Sequence, residues 1–182
     1  MASRANAMPD LSSFVPIRAV RERDETMPII LTSLHTNSGE CRNVAPFYVQ
    51  LHERFPRLYF LQVSFQPYDD IISNFSNIPE LMKLNVSHDA QQQFKKLLIM
   101  RNTMAIPHMF VFNAQGTLIF EGHPLSKPIE AHLFRLSGQS VLNNTFRAPS
   151  PILSMSMTKS TTNDMQRSRS KSPTRLKPMV MK

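Results

Sequence analysis

The chain contains one cysteine, Cys41, among its 182 residues. A single thiol excludes an internal disulfide framework and any Cys-rich zinc site, because each needs at least a second sulfur. It also points to a reducing compartment, cytoplasm or nucleus. Glycine is scarce as well, with four residues, and their spacing forms no phosphate-cradling loop. No apolar run approaches the roughly 20 residues that a membrane helix needs. The stretch from Met1 to Asp10 lacks the continuous apolar segment of a secretory signal. Neither a membrane-spanning nor a conventionally secreted protein is expected. His52, His88, His123 and His132 lack metal-ligand spacing with acidic or cysteine partners. No metal is therefore expected, and nothing in the pattern calls for a cofactor.

Hydrophobic residues make up 41% of the chain, enough for a packed core. The net charge of +8 is unevenly spread. Residues 147–182 hold eight basic side chains against Asp164 alone, whereas residues 1–146 are nearly neutral. The basicity therefore belongs to a tail. That tail is rich in Ser, Pro, Met and Arg and has no aromatic residue. Its few apolar residues follow no helical or alternating period. Such a segment cannot bury enough surface to offset its ordering entropy. The chain thus divides into a flexible N-terminus (1–12), a folded domain (13–146) and a disordered basic tail (147–182).

Within the domain, Phe14 to Val20 reads as a strand, with Pro16 marking an edge. The apolar, partly β-branched run Pro28 to Leu34 reads as a buried strand, as does Leu58 to Phe65. Ala45 to Arg54 is a predicted helix, with Val44, Phe47, Leu51 and Phe55 on one stripe. Tyr68 to Asn74 is a further helix, opened by Asp69 and Asp70. Glu80 to Val86 reads as extended, and His88 to Met100 as helical. Pro107 to Phe112 and Thr117 to Phe120 flank a turn containing Gly116, a hairpin signal. Pro128 to Leu136 is a last helix. This order predicts an α/β domain with a central mixed β-sheet flanked by helices. Phe60, Phe65, Phe110, Phe112 and Phe120 are the candidate core aromatics.

Two segments carry the functional signal. Ser38-Gly39-Glu40-Cys41-Arg42 lies between an apolar strand and an amphipathic helix. Ile106-Pro107-His108 opens a later strand. Together they resemble the thioredoxin family, in which a C-x-x-C motif opens the first long helix and a cis-proline faces it. Within that family the chain is similar to the nucleoredoxin and tryparedoxin group. Those proteins carry an insertion with an F-x-x-M/I-P-W-L element, and this chain has Phe75-Ser76-Asn77-Ile78-Pro79-Glu80-Leu81 there. The resemblance spans roughly residues 14–137. It implies a thioredoxin-like fold, a cis Ile106–Pro107 bond, and active-site equivalents at Ser38, Gly39, Glu40 and Cys41. It also implies a client-binding loop at Ile106, Pro107 and His108.

The departure from that family is chemical. The attacking cysteine is replaced by Ser38. A hydroxyl at a helix N-terminus stays protonated and is a poor nucleophile without an adjacent base. His35 is near in sequence, but no acid completes a triad. Ser38 reads more simply as a helix N-cap. Cys41 reads as a small buried residue, with a single-thiol role as the alternative. His108 reads as a partly exposed polar residue. The expected function is a redox-inactive protein-binding or regulatory module whose partner is a client protein or peptide. The alternative is a thiol-disulfide oxidoreductase acting through Cys41. In the tail, Ser150, Ser170 and Ser172 are candidate phosphorylation sites beside proline or arginine. Each phosphate adds about −1.5 to −2 charges, so a few would offset the tail's basicity. Contact of the tail with nucleic acid or an acidic partner would be weak and salt-sensitive.

Overall fold

The computed structural model describes residues 7–138. The tail with Ser150, Ser170 and Ser172, and residues 139–146 of the expected domain, lie outside the described residues.

Two strands form the centre. Strands β2 (Ile29–Leu34) and β3 (Tyr59–Ser64) run parallel, in register from Ile29–Tyr59 to Leu34–Ser64. Every residue of β2, including Thr32 and Ser33, is buried, as a central strand with both faces covered requires. Strand β4 (Asn85–His88) lies parallel to the outer side of β3. Strand β1 (Val15–Arg18) adds antiparallel to β4 and forms one edge. Pro16 sits there, where its missing N–H costs least.

On the other side, β5 (Met109–Phe112) is antiparallel to β2, and β6 (Leu118–Gly122) is antiparallel to β5. The sheet order is β1-β4-β3-β2-β5-β6. The β5–β6 turn is built by Asn113, whose Oδ1 accepts the N–H groups of Gln115 (3.1 Å) and Thr117 (2.9 Å). Gly116 completes it at φ +72°, a left-handed conformation that favours glycine.

The sheet's two faces bury different clusters. Ile29, Leu31, Leu61, Val63, Phe110 and Phe112 pack with Phe94, Leu97 and Leu98 of helix α3 (Gln93–Met100). Phe94 and Phe110 meet edge-on at 5.7 Å. Helix α1 (Gly39–Arg54) and helix α4 (Pro128–Ser137) meet through Phe55 and Phe134, 5.2 Å apart. The α1 stripe of Val44, Phe47, Leu51 and Phe55 is buried as its spacing predicts. Helix α2 (Tyr68–Phe75) carries Asp69 and Asp70 in its first turn, where the helix dipole favours anions.

Several expectations need correction. Helix α1 begins at Gly39, six residues before the predicted Ala45, because Ser38 caps it; Pro46 is accommodated inside. Residues 80–86 are not one extended segment. Pro79–Lys83 forms a short 3-10 helix, with Pro79 at its first position, where the fixed φ suits a helical turn. The buried Asn85 then starts β4, donating to the Phe60 carbonyl (3.0 Å) and accepting the N–H groups of Val20 and Arg21. His88 ends β4 rather than opening a helix, and α3 starts at Gln93. The intervening Asp89 accepts the N–H groups of Gln93 (2.8 Å) and Lys95 (3.0 Å), capping α3.

The N-terminus is also less loose than expected from residue 7 onward. Ala7 bridges Thr117, and the Met8 N–H donates to the Gly116 carbonyl at 3.0 Å. Met8 and Leu11 pack against the core cluster, and that apolar contact holds the segment down. Phe60, Phe110 and Phe112 are fully buried, whereas Phe65 and Phe120 are only partly so. Phe120 lies outside the core against the His132 ring, 4.9 Å away.

Candidate functional site

The chain leaves β2 at Leu34 and turns through His35, Thr36 and Asn37. The turn closes with the Ser38 N–H donating to the His35 carbonyl at 2.9 Å. Ser38 has extended backbone and its hydroxyl oxygen accepts the Cys41 N–H at 3.3 Å. That bond satisfies one of the orphan donors of a helix N-terminus. Among the described residues, the Ser38 hydroxyl is bonded to no imidazole or carboxylate. Gly39 and Glu40 follow, both exposed.

Cys41 faces inward and is 2% exposed. Its Sγ accepts the His35 N–H at 3.4 Å. Burial pushes the thiol's pKa up, and the Glu40 carboxylate pushes the same way. The His35 N–H and the Ser38 hydroxyl oppose the rise without cancelling it. The sulfur is therefore held as a protonated, covered thiol, not as a thiolate at an open helix end.

The second segment comes from the far side of β2. The Ser33 N–H donates to the His108 carbonyl at 2.8 Å. The His108 N–H in turn donates to the Ser33 hydroxyl oxygen at 2.7 Å. This clamp joins residues 75 apart in sequence. Because β5 runs antiparallel to β2, Ile106 and Pro107 continue past the end of the sheet at which β2 gives way to Ser38. The fold thus brings both predicted segments to one edge. The Ile106–Pro107 peptide is cis. Pro107 is buried, Ile106 half-buried, and Met104 and Ala105 are exposed.

The same edge is closed on the β3 side by Gln66. Its Oε1 accepts the Thr36 N–H (2.7 Å) and the hydroxyls of Thr36 and Ser64 (both 3.2 Å). His108 corrects an expectation, being 8% exposed rather than partly open. Its ring packs on Phe110 at 4.9 Å, and its Nδ1 shares a hydrogen bond with the Thr103 hydroxyl at 3.2 Å. Sequence reasoning missed Ser33, Gln66 and Thr103. Ser33 had a usable signal, a hydroxyl inside an otherwise apolar buried strand.

The sheet order, the capped helix leaving β2, and the cis-proline loop alongside it form one known arrangement. The fold is that of thioredoxin. A thioredoxin domain of a thiol-disulfide oxidoreductase from Bacteroides vulgatus matches with a TM-score of 0.53 at 15% identity, over 72% of this chain and 96% of that one. A thioredoxin-like protein solved in its oxidized form matches with a TM-score of 0.55 at 14% identity, over 75% of this chain and 98% of that one. A thiol:disulfide interchange protein from a Bacteroides species matches with a TM-score of 0.54 at 10% identity, over 76% of this chain and 95% of that one. No protein-family model and no curated protein matches the chain.

At such identities the likeness establishes the thioredoxin fold, and the chemistry is judged from the chain's own residues. Among the described residues no group of three or more His, Cys, Asp or Glu could hold a metal ion, and no helix is long and apolar enough to cross a membrane. A dithiol cycle needs two cysteines, and this chain has one.

Proposed function

We propose that this chain is a redox-inactive, nucleoredoxin-like thioredoxin-fold protein that binds an extended segment of a client protein beside Ile106, Pro107 and His108. The observation that carries the loss of redox chemistry is the state of Cys41, 2% exposed with its thiol pKa raised by burial. The helix terminus that would stabilise a thiolate instead presents Ser38, whose oxygen is engaged in capping.

The binding role rests on the adjoining loop. Among the described residues, no hydrogen bond engages the backbone N–H or C=O groups of Ala105 and Ile106. These groups are free to pair with an extended peptide, while Met104, 51% exposed, supplies adaptable apolar contact. The nucleoredoxin-like grouping is supported by the Phe75–Leu81 segment between β3 and β5, where Ile78 and Leu81 are buried. A regulatory input through phosphorylation of Ser150, Ser170 or Ser172 belongs to the same proposal. So do contact of the basic tail with an acidic partner or nucleic acid and a cytoplasmic or nuclear location.

The alternative, a single-thiol oxidoreductase working through Cys41, keeps one supporting observation. Sγ already accepts the His35 N–H, a contact that favours ionised sulfur. Insulin reduction with dithiol recycling separates the readings. The full-length protein should stay at background, and Ser38→Cys should raise the rate. Turnover by the natural chain that disappears in Cys41→Ser would establish the oxidoreductase instead.

A further inference from the structure

His108 is better placed than a structural residue needs to be. Its backbone is locked to Ser33, and its ring is buried and tied through Nδ1 to Thr103. Nε2, however, is buried and has no hydrogen-bond partner among the described residues. A neutral imidazole tolerates that at modest cost, but an imidazolium carries a second N–H that must find an acceptor.

The surroundings restrict where that acceptor could come from. Glu121 is the register partner of Phe110, two residues from His108, so it stands on the same side of the sheet. Both of its oxygens already accept from Arg101, at 2.7 Å from Nε and 2.6 Å from Nη2. Arg101 ends α3, and Thr103 follows it. His123, past the end of β6, adds a repulsive charge when protonated. Its Nδ1 accepts the Leu125 N–H at 3.2 Å. From β2 comes the Ser33 hydroxyl, which does not titrate in this range.

We propose that His108 is a proton-operated latch on the loop from Arg101 to Pro107: the neutral ring holds the loop in the arrangement seen here, and the protonated ring releases it. Protonation leaves two outcomes. Glu121 can give up Arg101 to accept from Nε2, or the ring can leave its pocket and break from Thr103. Both move the loop, because Arg101, Thr103 and Pro107 all lie on it. Burial lowers the His108 pKa, with Glu121 opposing and His123 assisting, so release falls on the acid side of neutrality. The consequence for client binding rests on the function proposed above, whereas the latch itself does not.

The test is NMR of the isotopically labelled full-length chain, without any client. The His108 Cε1 resonance should titrate with a midpoint below its ordinary 6.5. The Thr103, Ala105 and Ile106 amides should shift with the same midpoint. In His108→Gln those amides should lose that transition between about pH 7.5 and about pH 5. In His123→Gln it should persist. Loop amides that stay still while His108 titrates would overturn the latch. So would a transition that survives His108→Gln, or a His108 ring that stays neutral until the fold is lost. Failure of client binding alone would leave these spectra unaffected and would count against the binding role only.

Discussion

Alkylation of Cys41 by a small reagent such as iodoacetamide reads the proposed state of the site most directly. The reacting species is the thiolate. With the ordinary pKa of 9.0, about 1% of an exposed thiol is ionised at neutral pH, and each unit of upward shift removes roughly a further factor of ten. Access adds a second factor, because the side chain is 2% exposed and must open before the reagent reaches sulfur. The cheapest opening is fraying of the first turn of α1, which Ser38 holds through the Cys41 N–H. Ser38→Ala removes that cap at a cost of about 1 kcal/mol. A cost of that size raises the open population about fivefold. Native labelling should therefore run far slower than in the urea-unfolded chain, and about fivefold faster in Ser38→Ala than in the natural protein. Mass spectrometry of timed quenches gives both ratios. A native rate close to the unfolded rate would refute the covered thiol. A rate unmoved by Ser38→Ala would show that the cap does not guard it.

Two further outcomes follow from the core and the histidines. Phe110→Ala should cost about 3–5 kcal/mol in urea unfolding, because the ring is fully buried and meets both Phe94 and His108; a loss under about 1 kcal/mol would mean that β5 is not central. Burial lowers the pKa values of both His52 and His108. A base with a depressed folded pKa contributes its full stability above the unfolded value near 6.5, and that stability is lost as pH falls through the folded pKa. The urea midpoint should fall on acidification from neutrality, and fall less in His108→Gln; an equal fall in the variant would exclude His108 as a contributor.

Much of the architecture was legible in local pattern. The runs around Ile29–Leu34 and Tyr59–Ser64, the stripe of Val44, Phe47, Leu51 and Phe55, and the Gly116 turn each report an element through its own period or turn chemistry. The errors arose where a short segment has no period of its own. Residues 80–92 carry apolar side chains compatible with strand or helix; Asn85 settles the start of β4 through a bond to the distant Phe60 carbonyl, and Asp89 caps α3 through the N–H groups of Gln93 and Lys95. Phe120 reads as core by composition, yet β6 is an edge strand and places it outside. Met8 and Leu11 look like a loose terminus until the hydrophobic edge that they cover exists.

By itself the sequence determined that no dithiol cycle can run within this chain, because a cycle between two cysteines cannot be assembled from Cys41 alone. It also determined that Ser38 stands at a helix start, since a capping hydroxyl followed by an amphipathic stripe is local information. Tertiary structure alone decided the burial of Cys41 and His108 and the clamp between Ser33 and His108. It also left the His108 Nε2 without a hydrogen-bond partner among the described residues. The physical reason is range. Capping and periodicity act within a few residues, whereas burial and the sharing of hydrogen bonds depend on which strands become neighbours. Here β5 lies beside β2 although β3, β4 and the helices α1, α2 and α3 intervene in the chain.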